Sequence, residues 1–172
     1  MPSKKYFICD LDNCIADDRP RLHLIDWNKK GVARYHEYNL RAVDDVMLHG
    51  SEFLLLLEIA TPIFLTGRHN SYEAIAREWI ASRTGLNDVW LEMRDDDGTT
   101  SPADLKRDMW LRLVEGFNLT PDDIVVALDD VPSIVEMYRS FGIPAVRLAI
   151  HESDAAYTPE DLKPATTLHH PV

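Results

Sequence analysis

Three short segments and one lysine of this chain carry side chains that would do chemistry if the fold brought them together. Asp10-Leu11-Asp12-Asn13, Thr66-Gly67-Arg68 and Asp129-Asp130 each end an apolar run, and Lys106 lies between the second and the third. Carboxylates packed together repel one another and need a cation between them, and hard oxygen ligands suit Mg2+. A carboxylate can also be a nucleophile toward phosphorus. A second carboxyl two residues on can protonate a leaving oxygen and later activate water. A hydroxyl and a lysine can hold the oxygens of a phosphoryl group in transfer. Each residue has a plainer role by itself. Asp and Asn are common turn residues after a strand. Asp129-Asp130 ahead of Val131-Pro132, or Thr66 alone, can cap a helix. Lys106 can be a solvated helix lysine. The order carries the signal: a strand ending D-x-D, one ending T-G-R, a lysine, and one ending D-D.

The elements that must position these residues are legible as alternating runs. Segments 5–11, 61–65, 88–93, 124–128 and 145–150 are short and apolar, as strands covered on both faces are. Between them lie helix candidates over 51–60, 71–83, 102–115 and 131–141. Gly85 closes the second, and Ser101-Pro102 opens the third with an N-cap and a proline at the first position. The alternation predicts a three-layer, Rossmann-like α/β domain with a mostly parallel central sheet. In open sheets of that kind, ligands bind outside the carboxyl ends of the strands, where all the residues above fall. Residues 17–50 break the rhythm and read as a small cap-like insertion after the first strand. The expected organisation is a domain over 1–150 and a loosely packed tail over 151–172, with His169 and His170 near its end.

Composition bounds the function. At 172 residues the chain has length for one domain, and 45% apolar residues are enough for a core. No apolar run is longer than 53–57, far short of a membrane span, and the first residues hold no apolar signal stretch, so we expect a cytoplasmic protein. The net charge is −11, from 18 basic and 29 acidic residues. A global field of that sign does not attract nucleic acid, so a nucleic-acid ligand must be held locally, at an end or as a short piece. Cys9 and Cys14 read as two reduced, packed thiols rather than a disulfide.

The set resembles the haloacid dehalogenase (HAD) superfamily of phosphotransferases over residues 4–150. Asp10-Leu11-Asp12-Asn13-Cys14 matches its D-x-D-G-T motif, Thr66 its second, Lys106 its third, and Asp129 with Asp130 its terminal acidic pair. The resemblance implies that Asp10 attacks phosphorus and that Asp12 is general acid, then base. It also implies that Mg2+ is held by the Asp10 side chain, the Asp12 carbonyl, Asp129 and Asp130. Asn13 and Cys14 depart from the motif. Asn tolerates a left-handed backbone, so the turn survives. The stretch Asp129 to Gly142 is similar to the 3′-phosphatase domain of phage polynucleotide kinase/phosphatases, with weaker echoes in Thr66-Gly67-Arg68 and Tyr38-Asn39-Leu40. The kinase motif G-x-x-x-x-G-K-[ST] is absent.

Substrate contacts are expected from Arg68, Gly67 and Thr66, and from Arg34 in the insertion. Trp27, Tyr35, Tyr38 and His69 are candidates to stack on a base, and Arg94-Asp95-Asp96-Asp97 reads as a solvated loop. The expected activity is Mg2+-dependent phosphomonoester hydrolysis through an aspartyl-phosphate, with the 3′-phosphate of a nucleotide or nucleic-acid end as substrate and no obligatory protein partner. A 5′-nucleotidase acting on deoxynucleoside monophosphates is the alternative. In a phospho-receiver domain the lysine ends the last strand, whereas Lys106 precedes Asp129-Asp130, and a non-catalytic nucleotide-binding module would lack Asp10 or Asp12.

Overall fold

The computed structural model describes residues 4–151. Strand β1 (Tyr6–Cys9) is followed by a two-residue strand, β2 (Ala16–Asp17), which pairs antiparallel with β3 (Val46–Met47). This ribbon closes the base of the insertion. Within the insertion lie 3-10 turns at Arg19–Leu24, Gly31–Tyr35 and Ala42–Asp44 and the short helix α1 (His36–Leu40). The chain continues through α2 (Gly50–Leu57), β4 (Thr61–His69), α3 (Glu73–Thr84), β5 (Trp90–Arg94), α4 (Pro102–Phe117), β6 (Ile124–Asp129), α5 (Pro132–Ser140) and β7 (Ala145–Arg147). The five long strands form one parallel sheet in the order β5-β4-β1-β6-β7.

The apolar strands are continuous because both faces are covered. Phe7 and Cys9 of β1 join Phe53, Trp79 and Ile80, under α2 and α3. Ile8, between them, joins Met109, Trp110 and Tyr138, under α4 and α5. Successive side chains point to opposite faces, so the middle of such a strand is apolar and polar side chains enter near its carboxyl end, as Thr66 does in β4 and Asp129 in β6.

Helix ends follow local chemistry. Ser101 Oγ accepts a hydrogen bond from Asp104 N at 3.2 Å, with Pro102 at the first helical position of α4. Gly85 ends α3 in the left-handed conformation, at φ 77°. The strands differ from their expected bounds, with β1 ending at Cys9 ahead of Asp10 and Leu11, and β5 and β6 shifted by one or two residues at an end. β4 runs on past residue 65 to His69, because pairing with β5 resumes at His69–Arg94 after an irregularity. β7 stops at Arg147, where the chain leaves the sheet edge and Ile150 N bonds Asn13 O at 2.8 Å. His151, the first residue of the expected tail, packs on Asn13 and Asp18. The rest of that tail, with His169 and His170, lies outside the described residues. Cys9 and Cys14 are free and buried. Among the described residues no helix is long and apolar enough to cross a membrane.

Candidate active site

The carboxyl ends of β1, β4 and β6 meet as parallel strands require, and α4 adds a lysine. Asp10 leaves β1 with its N–H bonded to Leu128 O of β6 at 3.0 Å. Lys106, on the first turns of α4, sends Nζ to Asp10 Oδ1 at 2.7 Å and lies 3.3 Å from Asp129 Oδ2. It also donates to Leu65 O, which anchors the ammonium under β4. Lys106 is 3% exposed, and Asp10 and Asp129 are buried beside it. Burial pushes the Asp10 carboxyl above its ordinary range against the pull of Lys106. Burial likewise pushes Asp129 up to about 8, with the Asp10 and Asp130 charges adding to it.

The turn after β1 is built by Asn13, which takes φ 55°. Its side chain donates Nδ2 to Asp130 Oδ2 at 2.8 Å, so the residue in the motif's glycine position also orients one carboxylate of the terminal pair. Asp129 has a helix-capping role as well: its Oδ1 accepts from Val131 N at 3.1 Å at the start of α5.

Asp12 faces arginines. Arg68 reaches it through Nη2 to Oδ1 at 2.6 Å and Nε to Oδ2 at 3.0 Å, and Arg21 donates Nη2 to the same Oδ1. Arg21 also forks Asp45, with Nη2 to Oδ2 at 2.7 Å, and lies 3.8 Å over the Tyr38 ring. Although burial opposes it, the two guanidiniums hold the Asp12 carboxyl well below the carboxylate range. Burial instead pushes Asp45 up to about 6 against the pull of Arg21. Asp45 is fixed from behind by α3, since its carbonyl accepts from Trp79 Nε1 at 2.9 Å and Arg83 Nε at 3.0 Å.

These groups surround a cavity of about 210 Å3 lined by Asp10, Asp12, Lys106, Asp129, Asp130 and Arg68, with Gly67 beside them. Of the expected site residues, Thr66 is fully buried and its Oγ1 accepts from Arg68 N at 3.2 Å, but it does not line the cavity. Arg34 does not line it either. Its guanidinium lies 4.9 Å from the Trp27 ring centre and its Nε bonds Lys29 O at 3.1 Å. Arg68 is engaged by a carboxylate, which leaves only its buried Nη1 without a partner. Of the stacking candidates, Tyr35, Tyr38 and His69 line the cavity and Trp27 does not. The loop read as solvated is partly built in: Arg94 and Gly98 line the cavity, and Asp97 O accepts from Val32 N at 3.1 Å.

Arg21, Asp18 and His151 were not legible as site residues. Asp18 is 1% exposed, accepts from Tyr38 OH at 2.7 Å, and meets His151 Nε2 at 2.8 Å. Arg21 sits in a charged run where an arginine normally points to water. Only the burial of a nearby acid could have revealed it, and burial is not a sequence property.

The carboxylates fit a divalent cation. Asp10, Asp129 and Asp130 each offer an oxygen within 4.8 Å of the others. Asp129 Oδ2 is buried without a hydrogen bond.

No family model matches the chain. It is 26% identical over 146 residues to a protein of Autographa californica nuclear polyhedrosis virus described as a bifunctional polynucleotide kinase/RNA ligase. The match covers 85% of this chain and 17% of that protein. In structure it is similar to a chain of the Pnkp1/Rnl/Hen1 RNA repair complex, at TM-score 0.61 and 21% identity over 86% of this chain and 43% of that one. It therefore spans under half the length of both. A haloacid dehalogenase-like hydrolase from Streptococcus pneumoniae matches at TM-score 0.58 and 12% identity, over 86% of this chain and 85% of its own. A HAD family enzyme from Bacteroides thetaiotaomicron, solved with magnesium and inorganic phosphate, matches at 0.52 and 11%, over 87% and 97%. With its parallel sheet, its acidic strand ends and these neighbours, the chain has the fold of the haloacid dehalogenase-like hydrolases.

Proposed function

We propose that this protein is a Mg2+-dependent phosphomonoesterase that acts through an aspartyl-phosphate on Asp10 and removes the 3′-phosphate of a nucleotide or nucleic-acid end. The observation that carries the reading is the 2.7 Å pairing of Asp10 with Lys106 in a cavity that also holds Asp12, Asp129 and Asp130. An oxygen of the Asp10 carboxylate attacks phosphorus, the bond to the leaving oxygen breaks, and Asp12 supplies that oxygen with a proton. Asp12 then takes a proton from water, the water oxygen attacks phosphorus, the bond to Asp10 breaks, and inorganic phosphate departs. Lys106 stays beside the oxygens that carry the charge. Asp10, Asp129, Asp130 and the Asp12 carbonyl would hold Mg2+, which when bound neutralises charge on the phosphoryl oxygens. Asp12 acts as the acid only when protonated, so that step requires both Arg68 and Arg21 to loosen their grip on its carboxyl when substrate is bound.

The 3′-end is favoured by the similarity to a viral protein described as a polynucleotide kinase/RNA ligase and to a chain of an RNA repair complex. The 5′-nucleotidase reading is favoured by the net charge of −11, which suits a small substrate at least as well as a nucleic-acid end. The test is phosphate release, with Mg2+, from matched 3′- and 5′-phosphorylated deoxynucleotides and oligonucleotides, with Asp10→Asn as control. Release from 3′-ends, lost in the variant, is expected. Release from 5′-mononucleotides alone replaces the substrate, and wild-type-like turnover by Asp10→Asn removes the nucleophile.

A further inference from the structure

We propose that Asn39 is the specificity residue of this site, its carboxamide hydrogen-bonding the organic, leaving-group half of the phosphomonoester. The inference rests on the phosphatase reading and adds to it the recognition of what carries the phosphate. Asn39 lies on α1, inside the insertion, and is 4% exposed. It lines the cavity, yet its side chain makes no hydrogen bond among the described residues. Its neighbours differ: Tyr38 OH is bound to Asp18, and the Tyr38 carbonyl accepts from Arg21. Asn39 is not among the fully enclosed polar atoms without a partner, so its carboxamide opens to the cavity, where a ligand can take the hydrogen bonds that the protein leaves unmade.

The surroundings say what that partner is. The charged residues gather at the strand ends, while Val32, Tyr35, Pro102, Leu105 and Ile134 make the rest of the wall mostly apolar. Gly31 and Gly98 close this part of the cavity. A Cβ on Gly31 would stand 2.2 Å from Asp97 O, so the insertion and the β5–α4 loop touch backbone to backbone. An apolar slot with one carboxamide, offering both donor and acceptor, suits a flat or ring-shaped group with a hydrogen-bonding edge. A deoxyribose hydroxyl and a nucleobase edge share that chemistry.

The test measures turnover and binding in wild type and Asn39→Leu, a variant of similar size without hydrogen bonds. The substrates are a 3′-deoxynucleoside monophosphate, 2-deoxyribose phosphate and phenyl phosphate, whose leaving group has no hydrogen-bonding edge beyond the scissile oxygen. The expected result is a roughly tenfold loss of kcat/KM for the nucleotide, carried by KM, with phenyl phosphate unchanged. If deoxyribose phosphate shares the loss, the carboxamide reads the sugar; if it does not, the base. An equal loss on all three, or no loss on the nucleotide, overturns the proposal. Asn39→Ser, smaller and polar, must weaken nucleotide turnover selectively too, which guards against a Leu variant that does not fold. Calorimetric binding of the nucleotide to Asp10→Asn, with and without Asn39→Leu, separates the two readings. Asn39-dependent binding without wild-type turnover sinks only the phosphatase, and binding indifferent to Asn39 sinks this proposal.

Discussion

Arg68 grips Asp12 at two points across 56 residues of chain, Nη2 on Oδ1 at 2.6 Å and Nε on Oδ2 at 3.0 Å. Arg21 shares the same Oδ1 and ties it to Asp45, so the carboxyl expected to move protons is held ionised by two buried cations. A buried ion pair that loses one partner leaves an uncompensated charge, which costs more than the pair contributed. Arg21→Met should therefore destabilise the protein by about 3 kcal/mol, because Asp45 keeps only Arg68, 3.6 Å away. Adding Asp45→Asn should recover a large part of that loss. Urea unfolding of the two single variants and the double variant checks it; strictly additive losses would mean that the two residues do not act as a unit.

Asp10, Asp129 and Asp130 crowd their oxygens within 4.8 Å with one lysine among them. Mg2+ should raise the melting temperature, since a ligand at ten times its Kd adds about 1.4 kcal/mol to stability. Asp129→Asn keeps an acceptor for Val131 N–H and replaces a buried carboxyl that burial already resists ionising, so it should melt no lower than wild type without Mg2+ and lose the Mg2+-dependent rise. Thermal melts with Mg2+ and with a chelator measure both. An unchanged Mg2+ response in Asp129→Asn would place the ion elsewhere.

Gly31 has φ 56° and faces Asp97 O, and Gly98 has φ 87° and faces the Gly31 backbone. A Cβ at either position meets backbone, which cannot swing away as a side chain can. Gly31→Ala should cost about 1–3 kcal/mol and loosen the contact between insertion and loop. Faster limited proteolysis in the segment 95–100, with KM raised more than kcat is lowered, is the expected signature.

Asp96 ties that loop together. Partial burial opposes it, but hydrogen bonds from Thr100, from Arg94 and from Gly98 N hold its carboxyl well below the ordinary range. A depressed carboxyl contributes stability that is fully present above the unfolded value near 3.9 and is lost as pH falls toward the folded value. Wild type should thus lose stability between about pH 5 and pH 2 more steeply than Asp96→Asn does. Parallel melts across that window show whether the two curves converge at low pH, as they must if Asp96 is the source.

The residues at the strand ends were legible because local rules act on them. A strand buried on both faces is apolar along its middle, so the first polar residues, Asp10, Thr66 and Asp129, mark where β1, β4 and β6 approach the site. Asn13 in the left-handed region and Ser101-Pro102 at the start of α4 are likewise decided within a few residues of chain. Those features determined the sheet, its two helical layers and the meeting of Asp10, Lys106 and Asp129.

Tertiary structure alone decided the rest, because the partners are far apart in sequence and no spacing rule links them. Arg21 meets Asp45 24 residues on, Asp18 meets His151 after 133, and Arg68 turns to Asp12 instead of standing open. Arg34, equally basic and in the same insertion, ends over Trp27 outside the cavity. An arginine and an acid in an irregular segment carry no periodicity, and which of them is buried depends on how the insertion folds back over the sheet. That folding rests on Trp79 and Arg83 holding Asp45 O, and on two glycines letting backbones touch. Asn39, on the short helix of the same insertion, reaches the cavity wall, which no sequence pattern announced.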